Sequence, residues 1–142
     1  MRTSARNHFS GKISAVKAGA VNDEVTLQAE GGFEIVSIIT HGSVASLGLA
    51  AGKSAFALVK ASSVILMVDG DGSKVSTRNV VAGTVSSVTK GAVNAEVVIA
   101  APGGAQIAAI VTNGSADRLG LAAGKPATAL FKASSVIVGV DD

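Results

Sequence analysis

At 142 residues the chain accommodates one ordinary domain or two very small ones. Charged residues supply 15% and aromatics only 3%, four Phe with no Trp or Tyr, so any core is built from Val, Ile, Leu and Ala. No cysteine is present, which excludes disulfides, thiolate metal sites and cysteine nucleophiles, and a net charge of +2 without Lys or Arg clusters argues against a polyanionic partner.

In chain order, residues 6 to 16 are predicted to be an extended strand, with Gly11 expected to allow a bulge or sharp bend. Glu24 to Gln28 and Glu34 to Ile38 alternate polar and apolar residues, and Gly31-Gly32 between them signals a hairpin turn. After Thr40 the period changes: Val44, Leu47 and Leu49 suit one or two helical turns ended by Gly48 or Gly52. Residues 55 to 59 and 64 to 68 then return to strand. The order, three strands, a short helix and two strands, is that of a five-stranded OB-type barrel.

The same order recurs downstream. Gly19-Ala20-Val21-Asn22, Leu47 to Lys53 and Lys60 to Ile65 each reappear 72 residues later, and about half of the aligned positions are identical. The expected fold is therefore all-β with one short helix per domain, as two tandem OB-like five-stranded β-barrels spanning residues 1–70 and 73–142 and joined near Asp69 to Ser73. Two copies are too few for a solenoid, and so small a unit needs a partner to complete its burial. No stretch reaches the roughly 18 apolar residues of a membrane-spanning helix. The first residues lack the apolar segment of a secretory signal, so cytoplasmic is the expected compartment.

The polar groups that recur are the candidates for chemistry. Ser4, Arg6, Asn7, Thr40, Ser43 and Lys60 match Ser76, Arg78, Asn79, Thr112, Ser115 and Lys132. Among other charges only Lys53 and Lys125, Glu24 and Glu96, and Asp69 and Asp141 recur. Thr40 and Ser43 stand at the start of the short helix, where free N–H groups favour anions; ordinary N-capping is the competing reading. Arg offers a fork of donors suited to oxyanions, and Lys a compact charge. One Arg, one Lys, hydroxyls and backbone N–H groups suit a tetrahedral dianion, and a set without carboxylates does not suit a bare metal cation.

Enzymatic readings find little. His8 and His41 face Val80 and Asn113 in the other copy, so a histidine base or zinc site exists in one half at most. No Walker or Rossmann fingerprint occurs. Phe9, Phe33, Phe56 and Phe131 occupy no matching pair of positions, a weak basis for stacking single-stranded nucleic acid. A structural or interaction module and a single-strand binder remain the alternatives to anion binding.

Ser4-Ala5-Arg6-Asn7, Gly19 to Asn22 and Leu58-Val59-Lys60-Ala61-Ser62 resemble the molbindins, the molybdenum-pterin-binding or Mop proteins, in their two-domain form without an additional domain. The resemblance implies domains that pair by exchanging strands, homotrimeric assembly, and molybdate (with tungstate as analogue) held for storage, with no organic cofactor, nucleic acid or membrane partner. Carried over by motif, one site comprises Ser4, Arg6, Thr40, Ser43, Lys60 and Ala61, and its twin Ser76, Arg78, Thr112, Ser115, Lys132 and Ala133. A second site type falls on Val21 and Asn22, or Val93 and Asn94. Thr77 replaces Ala5 and adds a hydroxyl to the rim of the second copy.

Overall fold

A computed structural model describes residues 1–141. The first half contains β1 (Asn7–Lys17), β2 (Asn22–Ala29), β3 (Glu34–Thr40), α1 (His41–Leu47), β4 (Ser54–Val59) and β5 (Ile65–Met67). The second repeats them as β6 (Asn79–Lys90), β7 (Asn94–Ala100), β8 (Gln106–Thr112), α2 (Asn113–Arg118), β9 (Pro126–Phe131) and β10 (Ile137–Gly139). One 3₁₀ turn, Ala61–Ser63, separates β4 from β5, and another, Ala133–Ser135, separates β9 from β10.

The expected element order holds in both halves, but sheet membership does not follow the repeat. One sheet runs β10-β4-β1-β2-β3 and the other β5-β9-β6-β7-β8. Each half thus lends its last strand to the other: Ile65 pairs with Leu130, and Ile137 with Leu58. Within the first sheet, β10 also lies near β3, the contact that brings the two edges of an OB-type barrel together. The sequence repeat is therefore offset from the structural unit by one strand.

The exchange merges the cores. Val25, Leu27, Ile35, Val59 and Leu66 share one buried cluster with Val97, Ile99, Ile107, Phe131 and Val138. Asn7 and Asn79 tie the halves with their side chains, each only 1% exposed. The Asn7 amide donates to the Ala108 carbonyl (2.8 Å) and accepts from the Ala108 N–H (2.7 Å). Asn79 does the same with Val36, at 2.8 Å both ways. Each amide acts as one extra peptide group on an edge strand, which satisfies buried backbone groups that would otherwise be orphaned.

Gly11 has a different role from the one expected. The register of β1 slips between Ile13 and Ala15, beyond the glycine. At Gly11 a Cβ would lie 2.1 Å from the Gln28 carbonyl oxygen, so the residue is required by close backbone approach. The Gly31-Gly32 turn forms as expected, with φ of 97° and 91°. Gly31 also abuts Gly103 of the matching turn, where a Cβ would meet the Gly31 carbonyl oxygen at 1.9 Å.

Candidate functional site

Ser4, Arg6, Lys60 and Ala61 line one pocket of about 450 Å³, together with Thr3, Ala5, Leu58, Ser62, Ile110 and Ile137. The chain approaching β1 brings Ser4 and Arg6, and the 3₁₀ turn brings Ala61 and Ser62. The lining holds two cations, several hydroxyls and no carboxylate. In the turn, Ser63 and Val64 donate to the Lys60 and Ala61 carbonyls. As the first N–H groups of the turn, those of Ala61 and Ser62 have no acceptor within it.

Ile110 and Ile137 belong to the second half, so the pocket straddles the boundary created by strand exchange. The turn Ala61–Ser63 packs beside β8, and Ala133–Ser135 beside β3. Arg6 forks onto Glu96 of β7, donating from Nη2 to Oε1 at 2.7 Å and pairing Nη1 with Oε2. Arg78 forks onto Glu24 of β2 at 3.0 and 3.2 Å. The Arg78 fork, which donates to Glu24, holds that carboxyl below its ordinary value against the opposing effect of burial.

The two helix starts stand outside this pocket's lining. Neither Thr40 and Ser43 nor Thr112 and Ser115 line the pocket that holds Ser4, Arg6, Lys60 and Ala61. The strands that lead to them differ in what they pack beside. Thr40 and Ser43 belong to the first half. They sit at the end of β3, the strand that packs beside Ala133 and whose neighbour β2 carries the partner of Arg78. Thr112 and Ser115, at the end of β8, stand correspondingly on the side of Ala61 and Arg6. The physical reason is the exchange itself, which places each 3₁₀ turn against the opposite half.

The hydroxyl pairs also cap their helices. Thr40 Oγ1 accepts from the Ser43 N–H at 3.1 Å and donates to Ser43 Oγ at 2.8 Å. Thr112 and Ser115 repeat this at 3.0 and 2.9 Å. Capping consumes the Thr hydroxyl and leaves the Ser hydroxyl hydrogen for another acceptor.

Val21 and Val93, the candidates of the second type, project from the β1–β2 and β6–β7 turns with 73% and 70% exposure. Asn22 pairs across the strands with Thr40, and Asn94 with Thr112, so these turns adjoin the helix starts. His41 N–H donates to the Val21 carbonyl, and its Nδ1 lies 2.9 Å from the buried Asp23 carboxylate. Asp23 is held below its ordinary value first by the Gly19 N–H and also by His41, with burial acting the other way. In the second half Ala95 replaces Asp23, and Asn113 Nδ2 donates to the Gly91 carbonyl at 2.9 Å. His8 sits edge-on to Phe56 and lines no part of the pocket.

Sequence reasoning recorded Glu24 and Glu96 as a recurring pair but gave them no place in a site; their recurrence beside a recurring Arg was the available signal. The aromatic residues offer no stacking platform, because Phe9, Phe56 and Phe131 are buried and Phe33 packs edge-on to Phe9. No helix is long and apolar enough to cross a membrane among the described residues.

Residues 3–66 and 75–138 each match the TOBE domain. The chain is 47% identical over 140 residues to the molybdenum transport protein ModE of Herbaspirillum seropedicae, and 45% to the molybdenum-pterin-binding protein MopA of Rhodobacter capsulatus. Each alignment covers 99% of this chain but only 52% and 53% of the relative, so the chain spans about half the length of these curated relatives. Among solved structures, the cytoplasmic molybdate-binding protein ModG, with molybdate bound, is similar at 48% identity and a TM-score of 0.95. That match covers 99% of this chain and all of the other.

Proposed function

The chain belongs to the TOBE domain family, which it represents twice over, and from that premise we propose that it binds molybdate in the cytoplasm as a store, without catalysing a reaction. The observation that carries this reading is the pocket joining Arg6 and Lys60 with the Ser4 hydroxyl and the first N–H groups of a 3₁₀ turn, in a lining free of carboxylates. Such a set of donors meets a tetrahedral dianion on several sides and supplies no acid–base pair for turnover. Similarity to ModG and MopA, named for molybdate and molybdenum-pterin binding, supports the choice of anion.

Each site of this type is composite. Ser4, Arg6, Lys60 and Ala61 act with Thr112 and Ser115, and Ser76, Arg78, Lys132 and Ala133 with Thr40 and Ser43. Support comes from Ile110, which lines the pocket two residues before Thr112 on the same face of β8. The Val21-Asn22 and Val93-Asn94 turns form the second site type between subunits of a homotrimer. Their exposed valines, with Ile65 and Ile137 each 59% exposed, offer apolar surface for such contacts. Tungstate, of the same charge and shape, binds with molybdate. Sulfate is rejected by its smaller size, and hydrogen phosphate because no carboxylate lines the pocket to accept its proton.

A thermal-unfolding series on dialysed protein with molybdate, tungstate, sulfate and phosphate at equal ionic strength tests the reading. Ligand that binds only the folded state raises the melting temperature by mass action. Molybdate and tungstate alone should produce the rise; an equal response to all four, or none, removes the molybdate assignment. Lys60→Ala should then weaken one composite site and spare the one at Lys132, as read by titration calorimetry.

A further inference from the structure

We propose that Glu96 and Glu24 are positioning residues for the anion sites, each acting through the arginine it holds across the boundary between halves; this rests on the anion-binding reading above. Asn7 fixes the backbone next to Arg6 through its buried amide, but among the described residues only the fork to Glu96 holds the Arg6 side chain. The Arg6 side chain is 55% exposed, whereas that of Glu96 is 24% exposed and stands on β7, which is paired on both sides by β6 and β8. The carboxylate is therefore the fixed member of the pair, and the arginine takes its direction from it.

The fork uses one N–H from each terminal nitrogen. A guanidinium has five N–H groups, so three remain for a ligand and binding does not require the carboxylate to leave. The same fork forms between Arg78 and Glu24, although both partners change halves. A surface ion pair by itself contributes little to folding. Its recurrence at two boundaries, with the arginine on a pocket wall at the first, assigns it to the orientation of the arginine. The negative charge so close to an anion opposes binding, but solvent screens it at these exposures, and the gain from a preset fork dominates.

Equilibrium dialysis of the full chain against molybdate, with bound molybdenum counted by elemental analysis, tests this on Glu96→Ala, Arg6→Ala and the double variant. Glu96→Ala should weaken the Arg6 site roughly tenfold while the Arg78 site holds, and the double variant should bind no more weakly than Arg6→Ala alone. Glu96→Gln, which keeps one acceptor for the fork, should fall between wild type and Glu96→Ala. Unchanged or tighter binding by Glu96→Ala, with only a lower melting temperature, would make the pair a tie between halves and overturn the proposal. An equal further loss in the Arg6→Ala background would overturn it too. Wild-type protein that takes up no molybdate would defeat the anion reading and this inference together, whereas tight wild-type binding indifferent to Glu96 defeats the inference alone.

Discussion

The two halves meet one mechanical demand with different chemistry at the start of the short helix. In both, the turn before β2 or β7 is fastened to the first helical residue, whose N–H donates to Val21 or Val93. The first half adds a contact between His41 Nδ1 and the buried Asp23 carboxylate, which also accepts from the Gly19 N–H. The second adds a neutral one, Asn113 to Gly91, and leaves Asn113 Oδ1 buried without a partner. By contrast, the asparagine bonds across the boundary and the Arg–Glu forks recur in both halves, Asn7 adding one bond to the Val59 carbonyl of its own half. Groups that join the halves recur, because a change on one side of the near-twofold arrangement disturbs a shared interface. The groups that fasten this turn within one half have diverged.

The comparison breaks most severely if the carboxylate–histidine contact is half-transplanted. Ala95→Asp, which buries a carboxylate opposite a neutral asparagine, should destabilise by about 3–5 kcal/mol in urea unfolding, and adding Asn113→His should recover much of it. Failure of the double variant to recover would mean that the Asp23–His41 arrangement depends on more than its two members.

Removing the ties should come next, with the larger loss at Asn7. Asn7→Ala strips partners from the Ala108 N–H and carbonyl and from the Val59 carbonyl, and Asn79→Ala only from those of Val36, each at a cost of about 2–4 kcal/mol. Equal losses would show that the Val59 bond contributes nothing.

The two glycine turns should differ. Gly31→Ala and Gly103→Ala both force a side chain into positive φ, but only at Gly103 would the new Cβ strike backbone, 1.9 Å from the Gly31 oxygen against 3.4 Å from Ala105 Cβ at Gly31. Gly103→Ala should therefore cost about 1–2 kcal/mol more than Gly31→Ala. Equal losses would place the clash within reach of a small backbone shift.

The smallest effect belongs to pH. Asp23 has a folded pKa below its ordinary 3.8, so its contribution is complete above that value and is lost as pH falls through the lower folded value. Asp23→Asn should flatten the fall in melting temperature at the acid end, whereas the second half, with Ala95 there, supplies no such dependence. An unchanged acid limb in Asp23→Asn would assign acid sensitivity to other carboxylates.

Much of the fold was legible because period-2 alternation, glycine turns and an unbroken 72-residue repeat are local signals. The recurring Arg, Lys, Ser and Thr were legible as a donor set for the same reason: residue chemistry needs no coordinates. Sequence alone determined strand order, helix placement and the identity of these groups. Only the tertiary structure decided which half receives each last strand. Ile65 to Met67 can pair with β4 or β9, since two of the residues it meets, Leu130 and Ala129, recur in β4 as Leu58 and Ala57, and no local preference separates equivalent partners. The same arrangement sets Arg6 beside Glu96 of the other half, while Gly11 becomes a point of backbone contact through its pairing with β2, and both depend on packing between segments apart in the chain.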